Sequence, residues 1–106
     1  MPKYLIQASY TQEGVKGLLK DGGSKRRRVV DEGVKALGGK MESFYYGFGD
    51  KDVYVIVDAP DNVSVAALSL TVCASGGAET KTTVLLTPEE VDAAAKKSVS
   101  YSAPGK

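Results

Sequence analysis

Residues 40–59, KMESFYYGFGDKDVYVIVDA, decide how this chain folds. Two runs rich in aromatic and β-branched residues, 40–48 and 52–59, flank Gly49-Asp50-Lys51, a composition and spacing that predict an antiparallel hairpin. The second arm, Val53-Tyr54-Val55-Ile56-Val57, is apolar at every position, and Phe44-Tyr45-Tyr46 put aromatic rings on both faces of the first. A strand with one wet face alternates apolar and polar residues; one without that alternation is covered on both faces.

Upstream, KYLIQASY (3–10) alternates Tyr4, Ile6, Ala8 and Tyr10 against Leu5, Gln7 and Ser9, the pattern of a strand with one drier face. Val15, Leu18 and Leu19 have helical spacing over 11–20, and Val30, Gly33, Val34 and Leu37 repeat it over 24–37. Gly22-Gly23 breaks this helical arm in two, with Ser24 expected to cap the second piece and Gly38-Gly39 to end it. Downstream, Pro60-Asp61 opens a helix from 61 to about 75. Its expected inward stripe is Val63, Ala66, Ala67, Leu70 and Ala74, and Gly76-Gly77 closes it. ETKTTVLLT (79–87) reads as a fourth strand. Thr87-Pro88-Glu89-Glu90 then starts a short helix with a cap residue, a proline at the first helical position and a glutamate three residues after the cap.

The order is β-α-β-β-α-β with an appended helix, the plan of a ferredoxin-like α+β domain occupying 1–98, with 99–106 expected to be a flexible tail. Right-handed crossovers set the third and fourth strands on either side of the first and both main helices on one face. The other face is left without internal cover although its residues are apolar and aromatic, so it is expected to pack on a second copy, as a homodimer or higher oligomer.

Composition narrows the function. A chain of 106 residues holds one modest core, and 42% apolar with 25% charged residues is an ordinary globular balance. A net charge of +1 offers no field to recruit nucleic acid or an anionic membrane, so neither is expected as a partner. Histidine is absent and Cys73 is the only cysteine, which removes the usual general base, the usual metal ligand and any internal disulfide; no metal and no cofactor are expected. No signal-peptide run or long apolar stretch is present, which points to a cytoplasmic protein.

Several motifs invite sharper readings. Gly17 to Gly22 has the gap of a phosphate-binding loop, but Gly23 stands where the lysine must be and Gly17 lies inside a helical repeat. Gly47-Phe48-Gly49 matches three positions of an RNA-recognition signature, yet Tyr46 replaces its basic residue and Asp50 and Asp52 would repel phosphate. Projecting the stripe of the second helix backwards lands on Arg27 and Arg26. The plain reading pairs Arg27 with Asp31 and Arg28 with Glu32; the sharper one sends Arg26 or Arg27 into a cleft between helix and sheet to bind a carboxylate or other anion. Tyr4, Tyr10, Tyr45, Tyr46 and Tyr54 are in the first place core and interface packing, and in the second the wall of a cavity. Arg26, Arg27, Tyr10, Tyr46 and Tyr54 are thus the candidate ligand-binding set. Cys73, three residues after Leu70, is expected to be a small buried hydrophobe, and Asp50, Asp52 and Asp58 to serve in hairpin solvation and edge hydrogen bonds.

The segments 9–23, 36–70 and 81–94 together resemble the GYD domain family over most of the chain. That resemblance implies a dimeric α+β barrel of ferredoxin-like subunits and brings no assigned reaction. The family's Gly-Asp-Tyr-Asp hairpin segment corresponds to Gly49-Asp50-Lys51-Asp52, with Lys51 in place of its tyrosine.

Two functions of different classes follow. One is a small homo-oligomeric protein that binds a modest, anionic ligand between helices and sheet and needs no catalytic group. The other, an analogy from the fold, is a cofactor-independent enzyme of monooxygenase or isomerase type acting on a small organic substrate; it requires a polar group of perturbed pKa facing an unfilled cavity, such as a tyrosine beside an arginine. No catalytic motif is recognisable, and the binding role is favoured.

Overall fold

The computed structural model describes residues 1–106. Strands β1 (Lys3–Tyr10), β2 (Lys40–Tyr46), β3 (Val53–Asp58) and β4 (Ala78–Leu85) form one open antiparallel sheet in the order β2-β3-β1-β4. Helices α1 (Gln12–Asp21), α2 (Gly23–Ala36) and α3 (Asn62–Ala74) complete the ferredoxin-like α+β fold, and α4 (Pro88–Ala95) follows β4. No helix is long and apolar enough to cross a membrane.

Tyr4, Ile6, Val53, Val55 and Val57 point to the helix side of the sheet and meet Val34 of α2 and Val65 of α3, with Ala59 closing the cluster. Tyr4 is 1% exposed, and its hydroxyl donates to Asn62 Oδ1 at 2.6 Å, so the ring can be buried without stranding a polar atom. On β2 the period of two is interrupted. Met41 lies opposite Val57 and Ser43 opposite Ile56, leaving Glu42 as an unpaired extra residue. This β-bulge lets Met41, Phe44 and Tyr46 share the helix face, while Tyr45 falls opposite Tyr54 on the other.

Leu5, Tyr45, Tyr54 and Ile56 stand on the uncovered face, Tyr45 with 69% of its surface exposed. The same face carries an ionic cluster at one end, Lys3 Nζ at 2.9 Å from Asp58 Oδ1 and 3.3 Å from Glu42 Oε2, and, opposite Gln7 and Ser9, Lys81 and Glu79 of β4. The bond to Asp58 raises the Lys3 ammonium above its usual pKa.

Four expectations need correction. The inward side of α3 is Val65, Leu68 and Val72, whereas Val63 and Leu70 are 78% and 71% exposed. The helix contains no charged residue, so apolar stripes run along both sides and periodicity cannot choose between them. Cys73 is consequently exposed, with its Sγ 3.6 Å from Thr80 Oγ1. The N-cap of α2 is Gly22 rather than Ser24: with a φ of 86° that glycine accommodates, the helix is capped two residues earlier and without a side-chain cap. Arg27 and Arg28 make no ion pair; Asp31 is taken by Lys35 at 2.9 Å.

Side chains cap the starts of α3 and α4, the latter as the sequence predicts. Thr87 and Glu90 form a reciprocal capping box on α4 behind Pro88. Asp61 accepts from Ser64 N–H at 2.8 Å on α3, which holds its carboxyl below the usual pKa. From Leu86 onward every residue is exposed, and the radius of gyration is 16.9 Å against the roughly 13 Å of a compact chain of this length.

Two glycines of α1 differ sharply in what surrounds them. A Cβ on Gly14 would fall 1.8 Å from the Gly77 carbonyl oxygen, whereas one on Gly17 would meet nothing within 4 Å. Gly14→Ala is expected to destabilise the fold by on the order of 3 kcal/mol, since backbone must move. Gly17→Ala is expected to stabilise it by about 0.5–1 kcal/mol through helix propensity. Urea unfolding of both variants checks the pair; equal midpoints would contradict the close approach of α1 to the α3–β4 turn.

Candidate functional site

The sheet and its helices are not packed uniformly from end to end. Where Tyr4 and Val57 meet Val34 and Val65 the layers are in contact, but towards the end of β1 the facing residues shrink to Ala8, Ala78, Gly14 and Gly77. The gap is a cavity of about 130 Å³ between the sheet and α2 and α3, walled mainly by Ile6, Val30, Phe44, Val55, Leu68 and Val72. Arg26 is the only charged side chain on its lining, joined by the hydroxyls of Tyr10, Ser75 and Thr80. Ser75 spends its hydroxyl on the Val72 carbonyl at 2.6 Å.

Tyr10 is held from two sides. Its backbone N–H donates to Asp52 Oδ2 at 2.8 Å, while the Asp52 N–H donates to the Ala8 carbonyl at 2.9 Å, tying the β2–β3 loop to the end of β1. The next residue, Thr11, donates its N–H to the Gly77 carbonyl at 3.0 Å and its hydroxyl to the Gly76 carbonyl at 2.7 Å. The same hydroxyl accepts from Gly14 N–H at 3.1 Å and so caps α1. Tyr10 therefore sits at a fixed junction of β1, the hairpin loop and the α3–β4 turn.

Arg26 reaches the cavity from the first turn of α2. Its Nη1 lies 3.4 Å from Asp21 Oδ2, a long contact on a carboxylate that Lys25 also approaches at 3.6 Å. Tyr46 comes from the end of β2, its ring edge-on to Phe44 at 5.1 Å and its hydroxyl donating to the Gly23 carbonyl at 2.9 Å. A wider and more open cleft lies on the other side of Tyr10, between α1, Tyr46, Gly47, Phe48 and Asp52. Tyr10 is thus the wall common to both spaces.

The structure brings three of the five candidate residues together. Tyr10, Arg26 and Tyr46 converge at the mouth of the cavity. Arg27 points elsewhere, into a shallow depression with Ser24, Tyr45 and Tyr46. Tyr54 belongs to the uncovered sheet face, beside Gly47 and opposite Tyr45. Asp52 and Asp58 act in edge contacts as the sequence suggested. Sequence reading missed the apolar walls, Leu68 and Val72 above all, because it assigned the wrong side of α3 to the core. No three Cys, Asp or Glu residues come together as a metal would require.

The model of the GYD domain family matches residues 4–95. The chain belongs to that family. No curated protein and no solved structure matches it. In this GYD domain the matched region includes every strand and helix of the fold except the first residue of β1, and therefore the whole cavity. Within the hairpin segment Gly49-Asp50-Lys51-Asp52, Asp52 is the residue that fastens the site to β1.

Burial, followed by the neighbouring Tyr46 phenol, pushes the Tyr10 hydroxyl up to about 12, against the opposing pull of the Arg26 guanidinium. Tyr10 is therefore a neutral donor at physiological pH. Because the folded value exceeds that of the unfolded chain, stability is unaffected below pH 10 and declines as pH rises from about 10 to about 12. An ultraviolet titration of the six tyrosines is expected to show one ionising near 12, absent in Tyr10→Phe. A Tyr10→Phe curve that differs only by the loss of an ordinary phenol would refute the buried placement.

Proposed function

We propose that this GYD domain is a homodimeric binding protein that holds a small organic ligand with an anionic group in the cleft between helices and sheet. The observation that carries the reading is the unfilled apolar cavity with a single charged side chain, Arg26, and a neutral phenol, Tyr10, at one end. An apolar pocket with a few convergent polar groups is the common form of a small-molecule site. A guanidinium with donors to spare suits a carboxylate better than a second protein charge.

Assembly through the uncovered sheet face completes the proposal. Leu5, Tyr45, Tyr54 and Ile56 form an apolar surface between the Lys3–Asp58–Glu42 ion cluster and the polar Gln7, Lys81 and Glu79, and a second copy laid on it would cover both faces of β3. The free, exposed Cys73 fits a reducing compartment such as the cytoplasm.

An enzymatic reading stands on the same pair. A phenol kept protonated beside a guanidinium can donate to a developing oxyanion, so it would polarise a carbonyl. It cannot take a proton at neutral pH, and the two nearest carboxylates, Asp21 and Asp52, are engaged with Arg26 and the Tyr10 N–H. A site with a donor but no free base favours binding over turnover.

Native mass spectrometry of gently purified protein is expected to show a dimer carrying a small adduct. Arg26→Ala should keep the dimer and lose the adduct, while Ile56→Lys should give a folded monomer. A wild-type monomer at micromolar concentration would overturn the assembly, and full adduct occupancy in Arg26→Ala would overturn the site.

A further inference from the structure

The dimensions and wall chemistry of the cleft narrow its ligand further. A volume of about 130 Å³ is close to that of the roughly 150 Å³ apolar cavity known to hold one benzene molecule in a protein core. The floor is the rigid pleat of β1 and β3, through Ile6 and Val55, and the roof is Val30, Leu68 and Val72. Phe44 adds an aromatic surface beside them. Branched aliphatic walls above and below a sheet-to-helix gap suit a flat, stiff body, which loses no internal rotations when it is enclosed.

The polar end is equally selective. Ser75 is spent on a backbone carbonyl and Thr80 Oγ1 lies 3.6 Å from the Cys73 thiol, while the Tyr10 hydroxyl and the Arg26 guanidinium stand together at the mouth as the strongest donors on the lining. The sole acidic neighbour of Arg26, Asp21, is 3.4 Å away on the helix before the break and shared with Lys25. The planar fork of the guanidinium therefore retains donors for a planar two-oxygen anion.

We propose that the cavity is a site for a single-ring aromatic carboxylate of about the size of benzoate, its ring among Val30, Val55 and Val72 and its carboxylate on Arg26 and the Tyr10 hydroxyl. The proposal rests on the cleft being a ligand site at all, and deepens that reading by naming the ligand's chemical class. It also gives the break at Gly22-Gly23 a role. By ending α1 and restarting the helix, the break sets Arg26 in the first turn of α2, where the side chain comes to the mouth of the cavity.

The test uses the full chain with three probes, benzoate, hexanoate and benzene, followed by methyl NMR shifts of Val30, Val55 and Val72. Benzoate is expected to shift these methyls saturably and to bind more tightly than hexanoate. Arg26→Gln should weaken benzoate tenfold or more and leave benzene unchanged, which also shows that the variant is folded. Tighter binding of hexanoate, or benzoate binding unaltered in Arg26→Gln, would overturn the aromatic carboxylate while leaving a small-ligand cleft in place. Failure of all three probes to reach the methyls would overturn both this proposal and the cleft as a ligand site.

Discussion

The contact between Tyr4 and Val57 is the one on which the rest of this structure depends. They lie opposite each other on the two central strands, and each is 1% exposed. Once both are buried, the period of two leaves no choice for their neighbours. Ile6, Ala8 and Tyr10 must follow Tyr4 to the helix side, Val55 and Val53 must follow Val57, and Leu5, Tyr54 and Ile56 are sent to the opposite face. The Tyr4 hydroxyl then reaches Asn62 in the first turn of α3, so the same side chain that sets the phase of the sheet also fixes the helix packed above it. Burying a phenol in a small core is tolerable only with that bond made.

The cavity is a consequence of the same arrangement carried to its far end. Valine and tyrosine fill the gap between layers near Asn62, whereas alanine and glycine leave it open near Tyr10. An open wedge of this kind would collapse if its rim could move. It is held by the backbone and side-chain hydrogen bonds of Asp52 and Thr11 and by the van der Waals approach of Gly14 to Gly77, none of which uses a cavity side chain. Structure and site are thereby separated: the rim is maintained by groups pointing along the sheet edge, and Tyr10 and Arg26 are free to face inward.

Much of the fold could be read from the chain because local rules and tertiary packing agree there. Alternation in 3–10, the Thr87-Pro88 start of α4 and the glycine pair at 22–23 each describe one element on its own terms. The reading failed where two local solutions had equal merit. The apolar stripes of α3 on Val63 and Leu70 and on Val65, Leu68 and Val72 are indistinguishable by spacing, and only the bond between Tyr4 and Asn62, with the cap at Asp61, sets the helix phase. The three-residue spacing of Met41 and Phe44 was the one available sign of the bulge, since a plain strand cannot send both to the same face. For the site, helix periodicity directed attention to Arg26 and Arg27 as a pair; a rotation of about 100° between adjacent residues separates them, one at the cavity and one outside.

The sequence by itself determined the element order, the sheet topology and the presence of an apolar face that no helix of the same chain covers, because periodicity, turn residues and crossover handedness are local or nearly so. Family membership followed from the same segments. Which side of α3 faces inward, which tyrosine faces which layer, and whether a hollow exists were decided only by the tertiary structure. The first two follow from contacts between elements, such as Tyr4 with Asn62, and the hollow from small residues of β1, α1, the α3–β4 turn and β4, Ala8, Gly14, Gly77 and Ala78, coming together in space. A cavity is a failure of distant surfaces to meet, and no local pattern encodes that.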